Sequence, residues 1–311
     1  MNHEVKHFLR SLTVVAILLI AVDICFGLLF DRAFLRLPRS DKMPSTICHR
    51  FVDRPQVMLI GSSRCHHHYD ATLLADSIAS IVGKQADVFN YGLDAIYVGS
   101  SLAVIESMLQ RHTPDLIILD ANSHEFDVVY RKTISVASPI YWSDDIMRHH
   151  INAAVWSNPL TMLSSLYRYR NAMPLRMAEA KFGGPPPLRG FVPLDEVLDT
   201  TKAYPPGPTT EELVVDSLVV GNFRHVARLC SEKNVRILVV DSPRFRPTDN
   251  SNLVRQLCRE CNIPFIDFYD TPFFNRRPEL FYDPGHLNAT GAHIFTSLLI
   301  DELRNHLAPR Q

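Results

Sequence analysis

Two groups of residues, far apart in the chain, have the types and spacing that nucleophilic catalysis needs. One is Gly61-Ser62-Ser63-Arg64, in which two serines follow the apolar run Val57 to Ile60. The other is Asp283-Pro284-Gly285-His286, a carboxylate and an imidazole three residues apart on one loop. A serine hydroxyl is too weak an acid to attack at neutral pH, so an imidazole within hydrogen-bond reach must take its proton. A carboxylate behind the imidazole fixes its tautomer and steadies the imidazolium. A tetrahedral intermediate also needs donors for its oxyanion, and the Ser63 amide, the Gly92 amide and the Asn122 side chain are the expected set. The Gly-x-Ser-x-Gly elbow of α/β-hydrolases is excluded, because Gly61-Ser62-Ser63-Arg64 is followed by Cys65. A serine pair by itself is equally a helix cap or a turn.

The elements around these groups explain how they meet. Short apolar runs alternate with helical patterns from Pro55 onward, the signature of βαβ units and a parallel sheet. Five runs read as buried strands: Val57 to Ile60, Val88-Phe89, Leu116 to Leu119, Val235 to Val240 and Pro264 to Phe268. Helices are expected at Thr72 to Val82, Ser101 to Arg111, Thr209 to Lys233, Ser251 to Cys261 and Ala289 to His306. Thr209-x-x-Glu212 fits a capping box, and Asn288 fits an N-cap. The implied fold is α/β, a three-layer αβα sandwich with a five-stranded, mainly parallel, flavodoxin-like sheet. Such sheets bind ligands at the carboxyl ends of their strands, where Ser62-Ser63, Gly92 and Asn122 all fall. Residues from about 128 to 207, with both tryptophans and two proline runs, form an expected insertion capping the sheet edge or the site mouth.

The order of these blocks resembles the SGNH (GDSL-type) hydrolase and acyltransferase superfamily. Gly61-Ser62-Ser63 stands where that family has Gly-Asp-Ser, so the resemblance gives Ser63 the nucleophile's place. Gly92 corresponds to the second-block glycine, and Asp120-Ala121-Asn122-Ser123 stands at the Gly-x-Asn-Asp block. Asp283-x-x-His286, followed by Leu287-Asn288 and Gly291-Ala292, is similar to the last block and is the most specific match. The resemblance covers about Pro55 to Asn122 and Leu213 to His306. An N-terminal anchor followed by Gly-Ser-Ser-Arg-x-x-His-His looks like membrane-tethered bacterial members associated with envelope polysaccharide. It implies an esterase or O-acyltransferase acting on acyl groups, O-acetyl above all, of a glycan outside the cytoplasm, without a cofactor. The alternative is a non-catalytic module of the same fold that binds glycan or a partner in polysaccharide assembly.

Leu12 to Phe30 is about as long as the 20 apolar residues that cross a hydrocarbon core, interrupted only by Asp23. It runs into Asp31-Arg32 without a small-x-small cleavage site, so an uncleaved single-pass anchor is expected, with residues 1–11 as a tail and 31–54 as a linker. Asp23 is then a carboxylate tolerated near one interface. Counting Lys6 and Arg10 before the span against Arg32, Arg36, Arg39 and Lys42 after it would turn the domain to the cytoplasm, as a lipid esterase. The resemblance argues for the opposite, periplasmic side and outweighs the count.

The remaining candidates have plainer readings beside them. Arg64 either binds an acidic substrate or caps a helix or pairs with a carboxylate. His66-His67-His68 gives no metal site, because neighbouring side chains diverge and no partner sits at ligand spacing; His67 is expected to support the site or meet substrate. His124-Glu125 reads as an exposed polar turn, and Cys258 with Cys261 as helix packing. With 32 basic and 33 acidic residues in 311, a net charge of −1 and no basic run, the chain has no electrostatic footprint for nucleic acid. Six cysteines are too few for a disulfide scaffold at this length.

Overall fold

The computed structural model of the chain describes residues 3–38, 55–82, 85–154, 159–170, 173–184, 188–204, 213–247 and 250–307. In chain order the elements are α1 (His3–Phe34), β1 (Val57–Ile60), α2 (Ser63–His68), α3 (Ala71–Val82), β2 (Val88–Asn90), α4 (Val98–Leu109) and β3 (Leu116–Asp120). Two 3-10 segments, Ser123–Phe126 and Val128–Ile140, lead to α5 (Asp145–Ala154), a 3-10 turn at Pro159–Leu163, α6 (Ser165–Arg168) and α7 (Met173–Phe182). The chain then returns through α8 (Ser217–Glu232), β4 (Arg236–Asp241), α9 (Asn252–Glu260), β5 (Phe265–Asp267), α10 (Pro272–Asn275), the hairpin β6 (Phe281–Asp283) and β7 (His286–Leu287), and α11 (Ala289–Leu307).

Strands β1 to β5 form one sheet in the order β2-β1-β3-β4-β5, every neighbouring pair parallel. Parallel strands are covered on both faces, which is why they are written as continuous apolar runs. Side chains alternate across the sheet. Met58, Ile60, Ile117, Leu119 and Val239 pack with α4, α8, α9 and, from the insertion, residues between Ile134 and Ala180. Val57, Leu59, Leu116, Ile118, Leu238 and Val240 pack with α3 and α11 on the other face. The result is the three-layer α/β architecture expected from the pattern. Its strand order reverses direction beside β1, so a crevice opens at the carboxyl ends of β1 and β3.

Local chemistry shifts several boundaries. Helix α8 starts at Ser217, where Asp216 Oδ1 accepts the Leu218 and Val219 amides while Arg131 clamps the same carboxylate with two 2.7 Å bonds. The Thr209-x-x-Glu212 capping box lies outside the described residues. Asn288 does cap α11, accepting the Gly291 amide at 3.0 Å. The insertion is partly helical, and its returning stretch, residues 188–204, lies along the site side. The Asn90 amide donates to Arg189, Val192 donates to the His66 carbonyl, and Leu198 donates to the Phe281 carbonyl. Helix α1 is longer than the apolar run, extending back to His3 and on to Phe34, and is long and apolar enough to cross a membrane.

Candidate active site

Ser62 ends the turn from β1 in extended backbone, and Ser63 is the first residue of α2. That step turns the Ser63 side chain out over the carboxyl edge of the sheet. Across the crevice, the β6–β7 hairpin pairs Asp283 with His286. Asp283 Oδ1 accepts the amides of Gly285 at 2.7 Å and His286 at 2.9 Å, so the carboxylate is fixed by its own turn. Both of its oxygens lie 2.9 Å from His286 Nδ1, and His286 Nε2 lies 2.7 Å from Ser63 Oγ. A carboxylate can only accept, so Nδ1 carries the proton and Nε2 is left as the acceptor for the Ser63 hydroxyl. Burial would raise the Asp283 pKa, but the His286 ring and the two turn amides outweigh it and hold the carboxyl below its ordinary range. The structure therefore brings Ser63, His286 and Asp283 into one hydrogen-bonded chain.

The expected oxyanion donors are placed differently. The Gly92 amide donates to Asn90 Oδ1 at 2.8 Å, so it is already committed. What requires glycine at 92 is close packing: a Cβ there would lie 2.3 Å from the His66 amide nitrogen. Asn122 caps the 3-10 segment after β3, its Oδ1 accepting the Glu125 amide at 3.1 Å and its Nδ2 reaching Glu125 Oε1 at 3.3 Å. A primary amide nitrogen has a second hydrogen, which these contacts do not use.

Arg64 is a correction. Its side chain turns under the sheet edge, buried, with Nη1 and Nη2 each 3.1 Å from the Asp241 and Asp120 carboxylates. Nη1 also donates to the Ser242 carbonyl at 3.0 Å. Burial opposes its charge, yet Asp120, Asp241 and Glu125 hold its pKa above the ordinary arginine value. Of the open readings, pairing with carboxylates is the one the structure contains; Arg64 ties α2 to the ends of β3 and β4 and is buried there.

Glu125 is the second correction, for it is buried and not part of an exposed turn. It accepts from Ser62 Oγ at 2.8 Å and from the Val98 amide at 3.1 Å. Burial pushes its carboxyl up to about 7, with Arg64 opposing and Asp120 adding to the rise. Sequence reasoning missed it because its partners lie 63 and 27 residues away.

The three histidines separate into two jobs. His68 Nε2 accepts the Leu287 amide at 3.0 Å, and its Nδ1 therefore donates to Ser242 Oγ at 3.0 Å. Burial, then the neighbouring His286 and Arg64, hold its pKa well below the ordinary imidazole range, so it is neutral. His66 and His67 do not diverge. Their rings lie 4.7 Å apart, and both reach Asp94 Oδ1, at 2.9 and 3.1 Å. The ligand-capable atoms of His66, His67 and Asp94 fall within 4.8 Å of one another. His67 Nδ1 must donate to the Val192 carbonyl at 2.7 Å, because that oxygen can only accept. Its Nε2 is then attracted to Asp94 only if it too is protonated. Burial opposes that charge, but Asp94 and the Val192 carbonyl raise the His67 pKa above its ordinary value, and the ring meets His286 edge-on at 5.7 Å. Asp94 was not singled out in the sequence, since an aspartate in a loop after a short strand has no distinguishing pattern.

No family model and no curated protein sequence matches the chain. Among solved structures, an acylhydrolase candidate from Bacteroides fragilis is similar with a TM-score of 0.37 at 11% identity, over 89% of this chain and 95% of that one. A lipase candidate from Chitinophaga pinensis is similar with a TM-score of 0.37 at 12% identity, over 80% of this chain and 98% of its own.

Proposed function

We propose that the protein is a serine esterase or O-acyltransferase of the SGNH type, tethered by α1, that acts on acyl esters of a cell-envelope glycan on the outer side of the membrane. The observation that carries this reading is the continuous relay from Ser63 Oγ through His286 to Asp283, at 2.7 and 2.9 Å. His286 takes the Ser63 proton as Oγ attacks the acyl carbonyl, then gives it to the departing sugar oxygen. Water or a second sugar hydroxyl resolves the acyl-enzyme by the same proton path in reverse. Asp283 stays ionised and orients the ring throughout. The Ser63 amide and the second Asn122 amide hydrogen are the oxyanion donors in this scheme, Gly92 being committed to Asn90. The glycan substrate and the outer location rest on the likeness of the anchor and Gly-Ser-Ser-Arg-x-x-His-His to membrane-tethered bacterial relatives.

One observation favours a second reading, a glycan-binding module without turnover: the Gly92 amide and Asn122 are both tied to protein groups, which thins the donor set. A fluorophosphonate probe separates the two, because it labels an activated serine and ignores a silent one. Detergent-solubilised protein should be labelled at Ser63, mapped by mass spectrometry, and its Ser63→Ala variant should not. Folded wild-type protein that resists the probe would favour the binding module.

A further inference from the structure

Asp23 interrupts the apolar run of α1, and its carboxylate is fully engaged by the insertion. Ser164 Oγ, the Ser165 amide and the Leu166 amide donate to it at 2.9, 2.9 and 2.8 Å, so Asp23 caps the start of α6 from another helix. One and two turns further on, Gly27 and Asp31 continue the same face. A Cβ at Gly27 would lie 2.2 Å from Ser165 Oγ, so only glycine admits α6 at this distance. Asp31 accepts two bonds from Arg168, at 2.8 and 3.1 Å, and one from the Tyr169 hydroxyl at 2.7 Å. Phe26, Phe30 and Phe34 surround the Tyr169 ring with centroids at 5.8, 5.7 and 6.1 Å. The insertion is thus clamped along the last three turns of the anchor and does not hang from a flexible joint.

This contact fixes a depth. Asp23 lies seven residues before Phe30, the end of the apolar run, which is about 10 Å along a helix axis. The run from Leu12 to Phe30 is about 28 Å long, close to the thickness of a hydrocarbon core. If α1 crosses a bilayer, the residues beside Asp23 lie below its surface. Their exposed side chains suit that position: Leu160, Leu163 and Leu166 are 65%, 60% and 48% exposed. Trp142, half-exposed, is tied to this segment by its Nε1–H, which donates to the Met162 carbonyl, and indoles favour headgroup level. A carboxylate at such depth is tolerated when its lone pairs are filled, and the Asp23 oxygens accept three bonds.

We infer that residues 159–166 form a membrane foot, a segment whose Leu160, Leu163 and Leu166 enter the acyl region of the leaflet facing the catalytic domain, beside α1. Ser164, Ser165 and Leu166 bond to Asp23 of α1, so this surface adjoins the anchor, and its occupant is phospholipid. The inference rests on α1 crossing the bilayer, and it adds that the crevice is held at a set orientation over the membrane.

The test uses full-length protein in phosphatidylcholine–phosphatidylglycerol vesicles with an environment-sensitive fluorescent amino acid at one position at a time. The positions are Leu163 in the foot, Ile17 in the anchor and Glu232 at the exposed end of α8. Lipids with a doxyl group at graded depths serve as quenchers. Strong quenching at 163 by shallow doxyl groups, deeper quenching at 17 and none at 232 is the expected result. Quenching at 17 without quenching at 163 would overturn the foot and leave the anchor standing. No quenching at 17 would overturn the anchor reading itself. Energy transfer between labels at 163 on separate copies, without lipid quenching, would assign the leucines to a second copy of the chain and overturn the proposal.

Discussion

At the scale of single residues, the site divides its carboxylates by environment. Asp283 is held ionised by two turn amides and the His286 ring, whereas Glu125 is held by burial at the edge of neutrality. Replacing Asp283 with Asn keeps the shape but removes the charge and frees His286 to adopt the wrong tautomer. The Asp283→Asn variant should lose about 10³ to 10⁴ in kcat on an aryl acetate with little change in KM, and fluorophosphonate labelling of Ser63 should slow in parallel. Glu125 makes a prediction about pH. Its folded pKa of about 7 lies above the ordinary carboxylate value of 4.5, so the folded state binds more protons than the unfolded state between those values. Its contribution is whole below about 4.5 and is lost as pH rises through about 7. In urea unfolding, Glu125→Gln, which cannot ionise, should therefore gain on the wild type as pH increases from 5 to 8. A difference between the two proteins that stays constant over that range would refute the assignment.

At the scale of elements, the short helix α2 couples Ser63 to His286. Ser63 is at one end of α2, and His68 at the other accepts the Leu287 amide, the residue next to His286. His68 is thereby a positioning residue, linking α2, the β6–β7 hairpin and, through Ser242, the end of β4. His68→Ala would leave the buried Leu287 amide unpaired and open a void, costing about 2–4 kcal/mol of stability. Its kcat should fall while KM holds, and His68→Gln, whose carbonyl can take the Leu287 amide, should recover most of the loss. Recovery of melting temperature without recovery of kcat would limit His68 to a packing role. The same elements explain what the sequence discloses. Strands buried on both faces are near-continuous apolar runs, as β1, β2 and β3 are, and all five strands were legible to within a residue or two. Asp283 and His286 were legible as a pair because their relation is local. Arg64, Glu125 and Gly92 were not, since their partners depend on tertiary folding: Asp241 is 177 residues from Arg64, and Ser62 is 63 from Glu125. The amide of Gly92 is diverted by a side chain only two residues away, Asn90, but that needs the turn geometry that only the fold supplies.

At the scale of the whole molecule, the end of α1 belongs to the core of the domain. Phe34 is fully buried and Leu37 nearly so, both in the apolar cluster that also contains Tyr169, Met173 and the outer face of the sheet. Asp23 was read from the sequence as a tolerated blemish in a membrane span, and the structure makes it the first of three contacts that seat the insertion on α1. A chain beginning at Pro55 would lose all of them. Burying Phe34 and Leu37 is worth about 1.5–3 kcal/mol each, and removing Asp31 strands the buried Arg168 guanidinium, a cost of about 3–5 kcal/mol. At roughly 2–4 °C per kcal/mol for a domain of this size, the chain from Pro55 should melt about 10 °C or more below one that starts at Val22 and keeps Asp23, Asp31, Phe34 and Leu37. Both are to be measured in the same detergent, by a probe that follows the sheet. Equal melting temperatures would reduce the last turns of α1 to a tether. A large gap would mean that the crevice at Ser63, reached by residues 188–204 of the same insertion, is built partly on α1.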